Sequence, residues 1–182
     1  MRVITGAARG VPLATLPGED IVRPTSQKMK EALFSAIQFE IAGRRALDAF
    51  AGSGQLGIEA LSRSAEHCLF LELDGGALQI VKQNLARAKL ADKASVMQVD
   101  ALQYLRRTTE LFDLIFLDPP YGKEILQAAI PVAAERLRPD GILVCEAPRA
   151  ESLPDWHGDV QLRKTYAHGK AKLCIYRRGT AQ

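Results

Sequence analysis

Cysteine and histidine are scarce in this sequence, and neither residue type is grouped. The three cysteines, Cys68, Cys145 and Cys174, lie far apart in apolar surroundings. They form neither the close pairs of a zinc site nor a framework suited to disulfides, so we expect free thiols buried in strands or core. The three histidines are equally scattered. The sequence therefore indicates no metal site.

Long apolar segments are also missing. No stretch approaches the roughly 20 apolar residues that a membrane-spanning helix needs. Residues 1–6 lack the apolar segment of a signal peptide. These absences predict a soluble, cytoplasmic protein. With 182 residues, 47% of them hydrophobic, the chain is expected to bury one substantial core.

The net charge is small, but the balance of charge changes along the chain. Residues 1–47 carry seven Lys/Arg and four Asp/Glu, residues 48–160 carry eleven and seventeen, and residues 161–182 carry six and none. Basic ends can place cations on the phosphates of a polyanion, although a solvated basic tail explains the same charges equally well. Charge alone leaves a nucleic-acid partner open.

Strand-like and helix-like segments alternate along most of the sequence. Residues 1–24 contain short apolar segments broken by Gly and Pro, which predict a small β-hairpin extension. Residues 25–182 then form the predicted main domain. Its strand-like segments, each followed by a helical pattern or a turn, are residues 46–50, 68–71, 94–99, 112–117 and 142–145. This alternation predicts an α/β fold with a doubly wound, mostly parallel sheet that ends in an antiparallel hairpin of residues 160–167 and 172–177.

A Gly-x-Gly-x-x-Gly motif at residues 52–57, here called the glycine turn, follows the first strand. Such a turn lets a ligand approach the backbone, and it suits NAD as well as S-adenosylmethionine. Glu72 ends the second strand, where it can accept hydrogen bonds from ribose hydroxyls. Asp48 can face a cationic amino group and Asp100 an adenine amino group, although both, like Asp74, also suit strand ends or helix caps. Together these carboxylates predict a site for a nucleoside with a charged tail.

The tetrapeptide Asp118-Pro119-Pro120-Tyr121 directly follows the apolar segment 112–117. The amino group of a nucleic-acid base is a poor nucleophile, because its lone pair is delocalised into the ring, and it needs hydrogen-bond acceptors for its N–H groups. Asp118 supplies a carboxylate, and the rigid Pro-Pro backbone supplies a fixed carbonyl. Tyr121 supplies a face on which a base can stack, a contact worth about 1–3 kcal/mol. We therefore predict these four residues to be catalytic.

Residues 48–54 and 118–121 resemble the paired motifs of class I amino-methyltransferases. Residues 23–34 and 57–63, with Arg9-Gly10, resemble the bacterial RsmD family of 16S ribosomal RNA guanine-N2 methyltransferases, and the likeness covers nearly the whole chain. The resemblance implies a class I methyltransferase fold with a Rossmann-like, seven-stranded sheet. It further implies S-adenosylmethionine as methyl donor, S-adenosylhomocysteine as product, and transfer to the exocyclic N2 amino group of a guanine in 16S ribosomal RNA.

Two sets of residues are predicted to bind ligands. The cofactor site is expected to contain Asp48, Phe50, Gly52, Ser53, Gly54, Glu72, Asp100 and Ala101. The expected RNA contacts are basic residues near the two ends of the chain, namely Arg9, Arg23, Lys28, Lys30, Lys170 and Lys172. We expect a monomer with no metal and no membrane partner, acting on 16S ribosomal RNA that is free or within the small subunit.

Three other functions stay open on the sequence. Another amino-methyltransferase, acting on adenine N6 or on a protein glutamine, would have the same two motifs. A nicotinamide-dependent dehydrogenase would have the glycine turn, but it would leave residues 118–121 unexplained and would need a substrate domain. A non-catalytic RNA-binding module would explain the basic ends, but not the glycine turn with its acidic neighbours.

Overall fold

The computed structural model describes residues 1–15, 27–120 and 125–179. The strands are β1 (Arg45–Asp48), β2 (His67–Glu72), β3 (Ala94–Gln98), β4 (Phe112–Leu117), β5 (Leu137–Pro148), β6 (Trp156–His157), β7 (Val160–His168) and β8 (Ala171–Arg178). The α-helices are α1 (Gln27–Ala36), α2 (Gln55–Ser62), α3 (Gly75–Ala88), α4 (Ala101–Arg107) and α5 (Ile125–Ala134). Short 3-10 turns occupy Gln38–Glu40 and Ala91–Lys93.

These strands form one sheet in the order β3-β2-β1-β4-β5-β8-β7-β6. Strands β1 to β5 are parallel, whereas β8 is antiparallel to β5 and β7 is antiparallel to β8. The predicted mostly parallel sheet with a terminal antiparallel hairpin is confirmed. The two-residue strand β6 pairs with β7 and adds an eighth strand to the seven expected. The strand order reverses between β1 and β4, the point beyond whose carboxyl ends open α/β sheets bind ligands.

Helices cover both faces of the sheet. One core includes Leu33, Ile58 and Val81 from α1, α2 and α3. The other includes Leu105 and Ile130 from α4 and α5. All of β4 is buried between the two cores, as a near-continuous apolar strand predicts. The carboxyl end of β4 is therefore held rigidly where it meets the ligand-binding edge.

The N-terminal segment, residues 1–15, folds back on itself. Arg2 and Pro12 form an antiparallel bridge. Glu59 of α2 accepts the Ile4 N–H at 2.8 Å and so anchors the segment to the helix. This pairing is compatible with the predicted hairpin extension of residues 1–24, which stays a prediction because its second part and its boundary at residue 24 lie outside the described residues.

Strand β5 departs from the expected bounds. The sequence pattern began it at Ile142, but the strand starts at Leu137, which pairs with Phe112, and residues 138–141 bulge out before the ladder resumes. Asp140 adopts a φ of 60° in this bulge. The apolar pattern marks only the buried residues of a strand, so it could not predict the polar bulge before them.

The three cysteines are buried free thiols in β2, β5 and β8, as expected. Burial raises the pKa of the Cys68 and Cys145 thiols well above the usual value, which makes both unreactive. Within the described ranges, no helix is long and apolar enough to cross a bilayer. In the same residues, no three His, Cys, Asp or Glu side chains come together as potential metal ligands.

Candidate active site

The glycine turn lies between the carboxyl ends of β2 and β4. Backbone N–H groups just after β1 donate to Leu71 of β2 and to Phe116 of β4, at 3.0 and 3.1 Å. The chain then passes through Gly52 and Gly54 with φ values of 52° and 78°, a conformation that glycine adopts without steric cost. Phe50, a predicted cofactor contact, packs against the core that includes α4 and α5. We call the space beyond these strand ends the candidate active-site crevice.

Asp48 holds the glycine turn from beneath. Its side chain is 1% exposed, and Oδ2 accepts the Gly57 N–H at 2.9 Å. Burial raises the pKa of this carboxyl to about 7, opposed by the Gly57 hydrogen bond and assisted by the charge of Glu72. The structure therefore gives Asp48 a role in fixing the start of α2. Its contact with a cationic ligand group stays a prediction.

Glu72 orders the other side of the turn. Its Oε2 accepts the Gly52 N–H at 2.8 Å, and its Oε1 accepts the Asp74 N–H at 2.9 Å. A carboxylate offers about four lone-pair sites, so two backbone bonds leave capacity for ribose hydroxyls. The geometry is compatible with the predicted ribose contact, which stays a prediction.

Two further carboxylates cap helices. Asp74 Oδ1 accepts the Ala77 N–H at 2.8 Å at the start of α3, which confirms the expected cap. Asp100 Oδ1 accepts the Gln103 N–H at 2.7 Å at the start of α4. The next residue, Ala101, is buried. A contact between Asp100 and adenine stays a prediction.

Asn84 is a residue of the site that the sequence reasoning missed. Its Nδ2 donates to the Ser53 carbonyl of the glycine turn at 2.9 Å. The same amide exchanges two hydrogen bonds with the backbone of Ala14, at 2.8 and 2.9 Å. Asn84 thus ties the turn to the N-terminal segment. The sequence contained one signal for this role: the amide side chain of Asn84, three residues after Val81, falls on the apolar face of the predicted helix.

Asp118 and Pro119 follow β4 directly. The register of β1 against β4 places their strand ends side by side, so Asp118 shares the crevice with the glycine turn. Asp118 is half-buried, Pro119 is buried and Pro120 is exposed. Tyr121 lies outside the described residues, so its stacking role stays a prediction.

Most of the predicted RNA contacts lie at the surface. Arg9, Lys28 and Lys170 are exposed, and Lys172 is half-buried, with its ammonium group donating to a backbone carbonyl. Arg23 lies outside the described residues. The structure does not test contact with RNA at any of these positions.

The prediction that Lys30 contacts RNA is wrong. Its side chain is fully buried, with Nζ 3.7 Å from Glu59 Oε2 and 3.2 Å from the Arg2 carbonyl. Burial lowers the pKa of this amine, while the Glu59 charge opposes the shift. Lys30 precedes the buried Leu33 and Phe34 by three and four residues, so it shares their face of α1 and cannot reach a phosphate.

The fold and the paired motifs together define a class of protein. The chain has the fold of a class I S-adenosylmethionine-dependent methyltransferase, and the glycine turn and the corner after β4 lie at neighbouring strand ends of its sheet. The family model described as "Conserved hypothetical protein 95" matches residues 1–177. The chain belongs to this family, and the RsmD relationship expected from the sequence is confirmed.

Individual relatives agree with this membership. "Putative rRNA methyltransferase YlbH" of Bacillus subtilis is 40% identical over 98% of this chain and 99% of its own length. "Ribosomal RNA small subunit methyltransferase D" of Haemophilus influenzae is 37% identical over 84% and 81%. The solved structure of "Putative methyltransferase yhhF" from Escherichia coli superposes with a TM-score of 0.88 at 31% identity, covering 100% of this chain and 99% of that one.

Proposed function

We propose that this chain is a ribosomal RNA methyltransferase that transfers a methyl group from S-adenosylmethionine to the exocyclic N2 amino group of a guanine in 16S ribosomal RNA. The enzyme acts as a monomer in the cytoplasm, where the small subunit is assembled. The names of the relatives from Bacillus subtilis and Haemophilus influenzae support an rRNA methyltransferase. The choice of guanine as the base and of N2 as the reacting atom is the more specific part of the proposal.

One observation carries this proposal, namely the shared edge of the glycine turn and Asp118. Glu72 and the turn are joined by the 2.8 Å bond to Gly52, and β1 pairs with β4 in register up to Phe116. Because neighbouring strands lie about 4.8 Å apart, a cofactor seated at the turn can present its methyl group to a base at Asp118. A dehydrogenase would use the glycine turn but would leave the Asp-Pro-Pro segment after β4 unexplained.

The residues present fit the methyl donor. Gly54 has a φ of 78°, and a Cβ there would lie 3.3 Å from buried Ile58 and Val81 side-chain atoms, so glycine lets the turn take its left-handed conformation and pack closely on the core. The Glu72 carboxylate beside the turn has lone pairs left for a ribose, which fits the nucleoside part of the cofactor. The cofactor supplies an electrophilic methyl group on a sulfonium and leaves as S-adenosylhomocysteine. Asp118 accepts a hydrogen bond from the base amino group, and the Pro119 carbonyl accepts a second. Held this way, the nitrogen lone pair is turned toward the methyl group. The N–C bond would form as the S–C bond breaks, and the nitrogen would release one proton to solvent.

The base must leave its stack to reach this crevice. Extrusion costs a few kcal/mol, and less for a base in a loop. In the proposal, Tyr121 stacks on the extruded base, and Arg9, Arg23, Lys28, Lys170 and Lys172 bind phosphates. The position of Lys170 supports this, since the pairing of Pro148 with Ala171 puts the β7–β8 turn at the carboxyl end of β5, the edge that holds the crevice.

The test is methylation of 16S ribosomal RNA from cells that lack the modification. Purified protein and labelled S-adenosylmethionine are incubated with naked RNA or with intact small subunits, and the digested nucleosides are analysed by mass spectrometry. We expect N2-methylguanosine from the wild type and none from Asp118→Ala. The control Asp92→Ala removes an exposed carboxylate from a 3-10 turn and should keep full activity.

Cofactor binding separates a catalytic defect from misfolding. Asp118→Ala should bind S-adenosylhomocysteine nearly as tightly as the wild type in a calorimetric titration, and neither protein should bind NAD. An active Asp118→Ala variant would refute the role of this carboxylate. N6-methyladenosine as the product, or label recovered in the proteins of the small subunit and not in the nucleosides, would replace the proposed substrate.

A further inference from the structure

Gln55 contains a buried oxygen that the protein leaves without a partner. It is the first residue of α2 and follows Gly54, whose φ is 78°. Within the residues that the structure describes, Gln55 Oε1 is the one buried side-chain nitrogen or oxygen that lacks a hydrogen bond. Leaving such an acceptor unpaired is costly. An oxygen of this kind takes its donor from outside the chain, from a water molecule or from a bound ligand.

The position of Gln55 on α2 indicates where that donor lies. Four and seven residues later on the same helical face, Glu59 and Ser62 accept N–H groups of the N-terminal segment at 2.8 and 3.0 Å. Helical side chains lean toward the N-terminus of their own helix, and α2 begins at the active-site crevice. The Gln55 side chain therefore leans toward the crevice, at the end of the face that the N-terminal segment covers.

The strand order identifies the part of the cofactor that passes Gln55. The proposed ribose contact, Glu72, ends β2, and the reacting corner at Asp118 follows β4, with β1 between them. A methyl donor that extends from Glu72 to Asp118 passes over the end of β1, where the glycine turn leads into α2. The amino-acid tail branches from the sulfur at this crossing. Its ammonium group has three N–H donors, whereas its carboxylate has none.

We infer that Gln55 Oε1 accepts a hydrogen bond from the α-ammonium group of the cofactor's amino-acid tail. The inference rests on the proposed methyl donor and assigns a specific contact to a residue outside the predicted cofactor site. Asp48 lies beneath the same turn, and a cation bound there would favour the ionised form of its carboxyl. The contact orients the tail and thereby the sulfonium.

Calorimetric titration of the purified protein with two ligands tests this contact. S-adenosylhomocysteine carries the tail, whereas 5′-methylthioadenosine has the same nucleoside and sulfur without it. Gln55→Leu removes the acceptor at similar volume and should weaken S-adenosylhomocysteine about tenfold to a hundredfold, the usual effect of a hydrogen bond to a charged group. Its affinity for 5′-methylthioadenosine should stay within about twofold of the wild type.

Gln55→Glu is the matched variant, because it keeps an acceptor oxygen and adds a negative charge. It should bind S-adenosylhomocysteine at least as tightly as the wild type if the partner is an ammonium group. Thermal unfolding of the ligand-free proteins provides a folding check. Gln55→Leu should unfold at the same or a higher temperature, because it removes an unpaired buried oxygen.

Three results would overturn the inference. These are unchanged S-adenosylhomocysteine affinity in Gln55→Leu, equal weakening of both ligands, and weaker binding by Gln55→Glu than by Gln55→Leu. The last result would indicate that the tail's carboxylate faces this side chain. Failure of the wild type to bind S-adenosylhomocysteine would refute the methyl donor itself. A wild type that binds this ligand but yields no N2-methylguanosine would contradict only the proposed substrate.

Discussion

Replacing Asp48 by asparagine should change how the stability of the ligand-free protein depends on pH. Asp48 is 1% exposed, and burial raises its pKa from 3.8 to about 7. The folded state therefore holds the proton more tightly than the unfolded state does. The stabilisation from this proton is complete below about pH 4 and is lost as the pH rises to about 7. Asparagine keeps an oxygen for the Gly57 N–H but does not titrate.

The size of the effect follows from the pKa difference. One pKa unit corresponds to about 1.36 kcal/mol, so a shift of about three units gives an upper bound of about 4 kcal/mol across the full range. Part of this loss has occurred by pH 5. Between pH 5 and pH 8 we expect the free energy of unfolding of Asp48→Asn, relative to the wild type, to rise by about 2–3 kcal/mol.

Urea denaturation at several pH values, followed by circular dichroism, measures this difference. The exposed Asp92→Asn variant is the control, and its difference from the wild type should be flat with pH. Parallel curves for Asp48→Asn and the wild type, within about 0.5 kcal/mol, would refute the reasoning. They would mean that Asp48 ionises in the folded protein much as it does in water.

Two further predictions concern packing around the site. Glu59→Ala leaves Lys30 buried without its carboxylate partner and should lower the free energy of unfolding by about 3–5 kcal/mol; a loss below about 1 kcal/mol in urea denaturation would contradict the buried pair. In Gly57→Ala the new Cβ would lie 2.3 Å from a Phe70 ring atom, and overpacking should cost about 1–3 kcal/mol. In Gly75→Ala the nearest atom is 3.4 Å away, so calorimetry should show unchanged stability or a gain of about 0.5–1 kcal/mol.

The candidate site was partly readable from the sequence. Glycines that permit a left-handed turn and an acidic residue after a buried strand are local features, because each depends on the conformation of only a few neighbouring residues. The parallel sheet then brings them together as a matter of topology, since all the strand ends share one edge. The crevice between residues 52–57 and Asp118 follows from these rules alone.

Other functional details depend on contacts between distant parts of the chain. Asn84 bonds to Ala14, which is 70 residues away, and no periodic pattern encodes that partner. The burial of the Gln55 oxygen likewise depends on which neighbours the fold supplies. A carboxylate or amide has the same letter in the sequence whether it meets water, backbone or ligand.

The sequence by itself determined the order of strands and helices, the buried central strand and the two motifs, because hydrophobic periodicity and turn chemistry act over short distances. Only the tertiary structure decided the environment of each polar side chain. Lys30 shows the difference most plainly, since a lysine placed on a helix by its pattern was expected at the surface. Instead, Lys30 is buried and pairs with Glu59 of α2. Lys30 lies on the apolar face of α1, so it is buried together with that face.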